Sequence, residues 1–306
     1  MRPLTAISSG LLLAACLLAT GASAQSSGSE GLSPTLSAIK NAHAVRLGYR
    51  ESSPPFSFLD QANRPIGYSL ELCEAIVEEI GVEVDDPNLR IDYVKVTSDD
   101  RIDAVLQNKI DLECGSTTAN SERGKRVAFS PLMFVAGTKL MVPKASSVQQ
   151  LADLKGKTIV VTKGTTNEQA VQAADKKLSL GLNIAVGADH EQSYQMLVDG
   201  KADAFATDDI LLSGLIVRHK SQDKFRVTGD YLSYDPYGIM FRKGEPQLAA
   251  VVERTFRKLG SNHDLVPLYN KWFIARMPTG EKMNVPISLQ LEEAFKAMDD
   301  SASANN

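Results

Sequence analysis

This 306-residue chain is short of cysteine and aromatics and has no surplus of positive charge. Three cysteines, none in a C-x-x-C pair, exclude a disulfide-dense scaffold and a cysteine-rich zinc module. Basic residues number 33 against 37 acidic ones, and the net charge of -4 excludes a binder dominated by nucleic-acid phosphates. The sequence also lacks a G-x-S-x-G elbow for a serine nucleophile, a G-x-x-x-x-G-K phosphate loop and an H-E-x-x-H zinc helix. No metal and no other cofactor is therefore expected. Past the first two dozen residues no apolar run reaches the length of a membrane span. What is present, 43% hydrophobic and 23% charged residues, is the balance of an ordinary globular chain with room for two cores.

The amino terminus reads as an address. Arg2 precedes an apolar run through Leu11–Ala19 that ends in Ala22-Ser23-Ala24 before Gln25, the layout of a secretory signal peptide over residues 1–24. Leu13-Ala14-Ala15-Cys16 also resembles a lipoprotein box, but cleavage there would leave Leu17 and Leu18 directly behind the lipid. Cleavage after Ala24, with release into the periplasm, is the expectation. It removes Arg2 and no acid, so the mature net charge falls from -4 to -5. Residues 25–33, rich in Ser and Gly, read as a loose arm.

From Val45 onward strand-like and helix-like segments alternate. Val45–Tyr49, Ile91–Val96 and Asp111–Gly115 read as strands. Between them lie a helix opened by Ser69, with an apolar face of Leu72, Cys73, Ile76, Val77 and Ile80 and a stop at Gly81, and a second helix capped by Ser98. The scheme repeats with strands at Thr158–Thr162, Ile184–Val186 and Ala204–Thr207. Strands separated by helices imply parallel βαβ sheets, here an α/β fold of two doubly wound lobes. Leu106–Asp111 even echoes Val198–Asp203. Connections near Phe129–Leu132 and Tyr234–Tyr237 predict two strands crossing between lobes. The expected division is lobe 1 over 34–133 plus 236–280, lobe 2 over 134–235, and a C-terminal extension over 281–306.

Two lobes joined twice leave a cleft, and ligands of doubly wound sheets sit beyond the carboxyl ends of the strands. Lobe 1 places Arg50, Ser98, Arg101, Ser116, Thr117, Thr118 and Arg123 there; lobe 2 places Thr162, Thr165, Thr166, His190 and Asp208. Arginine presents a planar fork that pairs bidentately with carboxylate, and free helix N-termini favour anions. Singly, each residue has an ordinary explanation: a solvated arginine, a helix cap, a satisfied histidine. Together, three arginines, a histidine and many hydroxyls against a single acid suit a ligand with two carboxylates and one ammonium.

Gly48-Tyr-Arg-Glu-Ser-Ser-Pro-Pro-Phe-Ser57, Thr97-Ser-Asp-Asp-Arg101, Glu113-Cys-Gly-Ser-Thr-Thr118, Ser121-Glu-Arg123, Val161-Thr-Lys-Gly-Thr-Thr166 and Lys271-Trp-Phe273 carry a resemblance. Over about Leu36 to Phe273 the chain resembles the periplasmic glutamate/aspartate-binding proteins of ABC transporters. That resemblance implies the type II periplasmic binding protein fold, an acidic amino acid as ligand and a membrane permease as partner. It assigns the α-carboxylate to Arg123 with Ser116 and Thr118, and the α-ammonium to Asp208 or the adjacent Asp209. It assigns the side-chain carboxylate to Arg50, Ser98, Arg101 and His190, with Thr162 and Thr165 closing from lobe 2. A monomer that binds no nucleic acid is expected.

Two rivals share features with this reading. A cyclohexadienyl dehydratase on the same fold would need a placed acid, and the strand-end set holds only Asp208. A sensory input domain would need a membrane span and a signalling module. Signal removal leaves Cys73, on the inward face of a helix, and Cys114, on a strand of the same lobe, in an oxidising compartment. A disulfide and two separate buried thiols both remain open.

Overall fold

The computed structural model describes residues 31–303. The expected signal peptide, Cys16 and most of the arm lie outside the described residues. Two five-stranded sheets organise the rest. The first has the order Arg90–Lys95, Ala44–Tyr49, Leu112–Glu113, Met240–Arg242, Val127–Phe129. The second has the order Asn183–Gly187, Thr158–Thr162, Ala204–Asp208, Thr138–Pro143, Phe225–Thr228. In each, three strands pair in parallel as the βαβ reading requires. The remaining pairings are antiparallel, so the sheets are mixed rather than purely parallel. The reason is connectivity: the strand that enters each lobe from the crossing starts where its parallel neighbours end.

The crossings are Phe134–Ala136 and Asp235–Tyr237, which pair antiparallel with Phe134 opposite Tyr237. Their aromatic side chains join a cluster with Phe56 and Phe273, with ring centroids 5.0 Å apart for Phe56–Phe134, 5.1 Å for Phe56–Tyr237 and 4.9 Å for Phe134–Phe273. Each such pair contributes about 0.5–1.5 kcal/mol beyond area burial, which ties the crossing strands to the first lobe.

In chain order the helices are α1 (Pro34–Ala42), α2 (Tyr68–Val84), α3 (Arg101–Leu106), α4 (Thr166–Leu178), α5 (His190–Val198), α6 (Asp209–Arg218), α7 (Pro246–Ser261), α8 (Leu265–Phe273) and α9 (Leu289–Ser303). Helices α4 to α6 belong to the second lobe. The predicted apolar face of α2 is buried at all five positions. Gly81 does not stop that helix, which runs on to Val84 and ends at Asp85 in the left-handed region (φ 58°). Gly81 is instead the point where the chain folds back on the helix, since a Cβ there would lie 2.9 Å from the Asp86 carbonyl oxygen. Cys73 of α2 and Cys114 form a disulfide with their Cα atoms 6.2 Å apart. Leu291 and Phe295 of α9 are buried in the same core as α7 and α8. No helix among the described residues is long and apolar enough to cross a membrane.

Candidate functional site

All ten residues expected at the site are buried, from 0% exposure at Thr162 to 9% at Arg123; all but Arg123 lie at a strand end or within six residues after one, and Arg123 follows Glu113 by ten. Arg50 follows the strand Ala44–Tyr49 and donates through Nη2 to Ser98 Oγ. Ser98 is therefore not the expected helix cap: α3 starts at Arg101, and Thr97 and Asp100 make the local turn, with Asp100 N donating to Thr97 Oγ1 at 3.2 Å. Arg123 opens a single 3-10 turn and donates through Nη1 to the Thr118 carbonyl at 2.9 Å. From the second lobe, Thr165 caps α4 by accepting from Glu168 N at 3.1 Å, and its hydroxyl donates to the Thr162 carbonyl at 2.7 Å. Thr162 spends its own hydroxyl on Ser193 at 2.8 Å. His190 is the first residue of α5.

The two lobes meet across this cluster. The Lys163 ammonium lies 2.9 Å from the Asp99 carboxylate, and Thr118 and Thr166 hydroxyls are 3.2 Å apart. Arg218 donates to the Leu59 carbonyl at 2.9 Å. Two glycines permit the approach. A Cβ at Gly214 on α6 would stand 2.2 Å from the Pro54 carbonyl oxygen, and one at Gly164 (φ 73°) 2.6 Å from Asp99 Cα.

Electrostatics divide the site into two ends. Burial lowers the Arg50 guanidinium to about 10, with the neighbouring Arg101 charge adding to the effect. Arg123 falls to about 9 for the same two reasons, and Arg101 is lowered by burial. All three stay cationic at neutral pH. His190 is pushed well below its ordinary value by burial and then by Arg50 and Arg101, so it is a neutral ring. Asp208 is raised to about 7, first by burial and then by the Asp235 charge. Several donors and acceptors here have no hydrogen-bond partner among the described residues: Arg50 Nη1, Arg101 Nε, Ser116 Oγ, Thr117 Oγ1 and both His190 nitrogens. Buried polar groups are otherwise almost always paired, so these mark where a polar, anionic guest would be held. Among the described residues no group of three or more His, Cys, Asp or Glu could hold a metal ion.

Strand-end reasoning counted one acid and missed two more. Asp235, on a crossing strand, accepts from Thr118 Oγ1 at 3.0 Å and from Thr166 Oγ1 at 2.8 Å, one from each lobe. Glu113 is fully buried, and both its carboxylate oxygens are unpartnered. The signal in the sequence for Asp235 is its place on a crossing strand; Glu113 opens the Glu113–Thr118 segment but lies within a strand, not beyond its end. Asp208 and Asp209 have different surroundings. Asp208 accepts from Asn167 Nδ2 at 2.8 Å and from the Tyr237 hydroxyl, inside the cleft. Asp209 accepts from the half-exposed side, where Tyr231 donates at 2.7 Å.

Two mixed sheets, two crossing strands and a polar cleft at the strand ends are the architecture of a type II periplasmic binding protein. The chain belongs to the bacterial extracellular solute-binding proteins, family 3, which it matches over residues 45–275. It is 38% identical over 273 residues to the L-glutamate/L-aspartate-binding protein of Pseudomonas aeruginosa, covering 89% of this chain and 90% of that protein. The glutamate/aspartate import solute-binding protein of Escherichia coli K12 is 34% identical over 302 residues, 98% of each chain. A crystal structure of a mutant ArgBP from T. maritima superposes with a TM-score of 0.70 at 27% identity, covering 78% of this chain and 98% of that one. These curated relatives are transport solute-binding proteins, not enzymes, which sets the dehydratase rival aside.

Proposed function

We propose that this protein captures glutamate or aspartate between its lobes and delivers it to an ABC-type permease. The observation that carries the reading is three arginines buried at 9% exposure or less, two of them with a donor unspent at Arg50 Nη1 and Arg101 Nε, beside a neutral histidine and the unpartnered hydroxyls of Ser116 and Thr117. One buried guanidinium would serve any amino-acid carboxylate; three call for a second carboxylate, because each uncompensated buried charge costs several kcal/mol. In the roles that follow, Arg123 with Ser116 and Thr118 holds the α-carboxylate and Asp208 the α-ammonium. Arg50, Arg101, Ser98 and His190 hold the distal carboxylate, and Thr162 and Thr165 complete the site from the second lobe. The names of the relatives support the same ligand class.

The lobes, 34–133 plus 236–280 and 134–235, close on the ligand about the two crossing strands. A ligand touching both lobes favours the closed form by as much as it prefers that form. The signal over residues 1–24 is cleaved and the monomer acts in the periplasm, without nucleic acid. Calorimetric titration with the amino acids tests the ligand class: glutamate or aspartate must bind at least about a hundredfold tighter than neutral amino acids. A basic or neutral amino acid as best ligand refutes it.

A further inference from the structure

Glu113 has no place in the ligand-holding set, yet it is the most deeply buried carboxylate near the arginines, with 0% exposure. It sits in the middle of the first sheet, paired with Gly48 on one side and Met240 on the other. Neither of its oxygens has a hydrogen-bond partner, and it forms no ion pair among the described residues. Its place is nevertheless built. A Cβ on Gly115 would lie 2.3 Å from Glu113 Oε1 and 3.0 Å from Arg50 Cγ, so the carboxylate rests beside the aliphatic stem of Arg50 in space only glycine leaves open. Burial lowers the basicity of Arg50, Arg101 and Arg123, and the charge of Glu113 opposes that loss at all three.

A carboxylate paired directly with an arginine would occupy two of its donors. One held near three arginines without touching their nitrogens takes no donor from them, and Arg50 Nη1 and Arg101 Nε stay unspent. Glu113 is also the foremost negative charge acting on all three arginines, ahead of Asp208 and Asp235. We propose that Glu113 is the counter-charge of the site: it sets the net charge that a ligand meets and so the preference between dicarboxylic amino acids and their amides. This rests on the acidic-amino-acid reading. Neutralising Glu113 leaves an extra positive charge that acts on two negative groups in glutamate and on one in glutamine.

The test is Glu113→Gln, measured by calorimetric titration with glutamate and with glutamine and by melting of the ligand-free protein. The glutamate-to-glutamine affinity ratio should rise on the order of tenfold, while the melting temperature without ligand falls because three buried cations lose their compensation. A residue that merely packs would lower stability and both affinities together. An unchanged or smaller ratio overturns the inference, a smaller one meaning that the carboxyl group serves the ligand directly. Glu113→Asp keeps the charge but withdraws it by one methylene, and its ratio should rise about two- to threefold. If the glutamine variant does not fold, a folded aspartate variant with the wild-type ratio overturns the inference. Wild-type protein that binds neither glutamate nor aspartate overturns the ligand reading itself.

Discussion

Asp208 offers the sharpest quantitative check, through the replacement Asp208→Asn. In the folded, ligand-free protein its carboxyl group titrates near 7 instead of the ordinary 3.8, because it is buried and faces Asp235. Between those two values the folded protein keeps a proton that the unfolded chain has released. Stability from this group therefore falls as pH rises from about 4 to 7, by about 1.4 kcal/mol per pH unit. The accumulated cost is about 4 kcal/mol above pH 7. The asparagine variant has no such slope. Its melting temperature relative to wild type should climb between pH 4.5 and 7 and level off above that, by on the order of 10 °C in total. His190, whose depressed value gives the opposite slope below its ordinary 6.5, is present in both proteins and cancels in the difference. A constant offset from altered bonds to Asn167 and Tyr237 moves the whole curve and leaves its slope. Differential scanning fluorimetry of both proteins at four pH values gives the result directly. A pH-independent gap refutes the argument. The same logic predicts release of close to one proton when an amino acid binds near pH 6, since its ammonium restores the ionised carboxylate. Titration in buffers of different ionisation enthalpy reads that proton, and the variant should release none.

Replacing Arg50 or Arg101 by Ala should weaken glutamate and aspartate by about 1.5–3 kcal/mol while sparing neutral amino acids, and Arg123→Ala should weaken every ligand by a similar amount. Calorimetric titration separates the two patterns. Gly214→Ala places a Cβ 2.2 Å from the Pro54 carbonyl oxygen where the two lobes touch, a contact that the proposed closure would have to make. It should leave the ligand-free melting temperature unchanged or higher, because alanine is the better helix former by about 1 kcal/mol, yet cut affinity at least about tenfold. Small-angle scattering should then show no ligand-induced shrinkage, and a variant that closes like wild type refutes the role of Gly214. Breaking the Cys73–Cys114 bond opens a cross-link between residues 41 apart and should cost about 2–4 kcal/mol in denaturant melts. Thiol titration of the unfolded, unreduced protein should find neither cysteine free.

Much of the fold was readable because its signals are local. The apolar spacing of α2 and the repeated strand-then-helix order each depend on a few consecutive residues. The polar strand ends were readable for a related reason: in this topology the residue after a strand lies at the cleft whatever its distant neighbours are. Those rules brought Arg50, Arg101, Arg123, His190 and Asp208 to notice before any contact was known. They failed wherever a side chain had to choose between partners far away in the chain. Ser98 looked like a cap and went instead to Arg50, 48 positions away. Gly81 looked like a stop and became the surface on which the chain folds back. Two cysteines could bridge or stand apart until the packing of α2 on the sheet brought their Cα atoms to 6.2 Å. Glu113 and Asp235 lay unnoticed in strands, and only the closing of two sheets around three arginines turned them into site charges. Periodicity and strand order act over a handful of residues, so the sequence by itself determined them. Which buried polar group meets which depends on desolvation and on contacts between distant segments, and only the tertiary structure decides that.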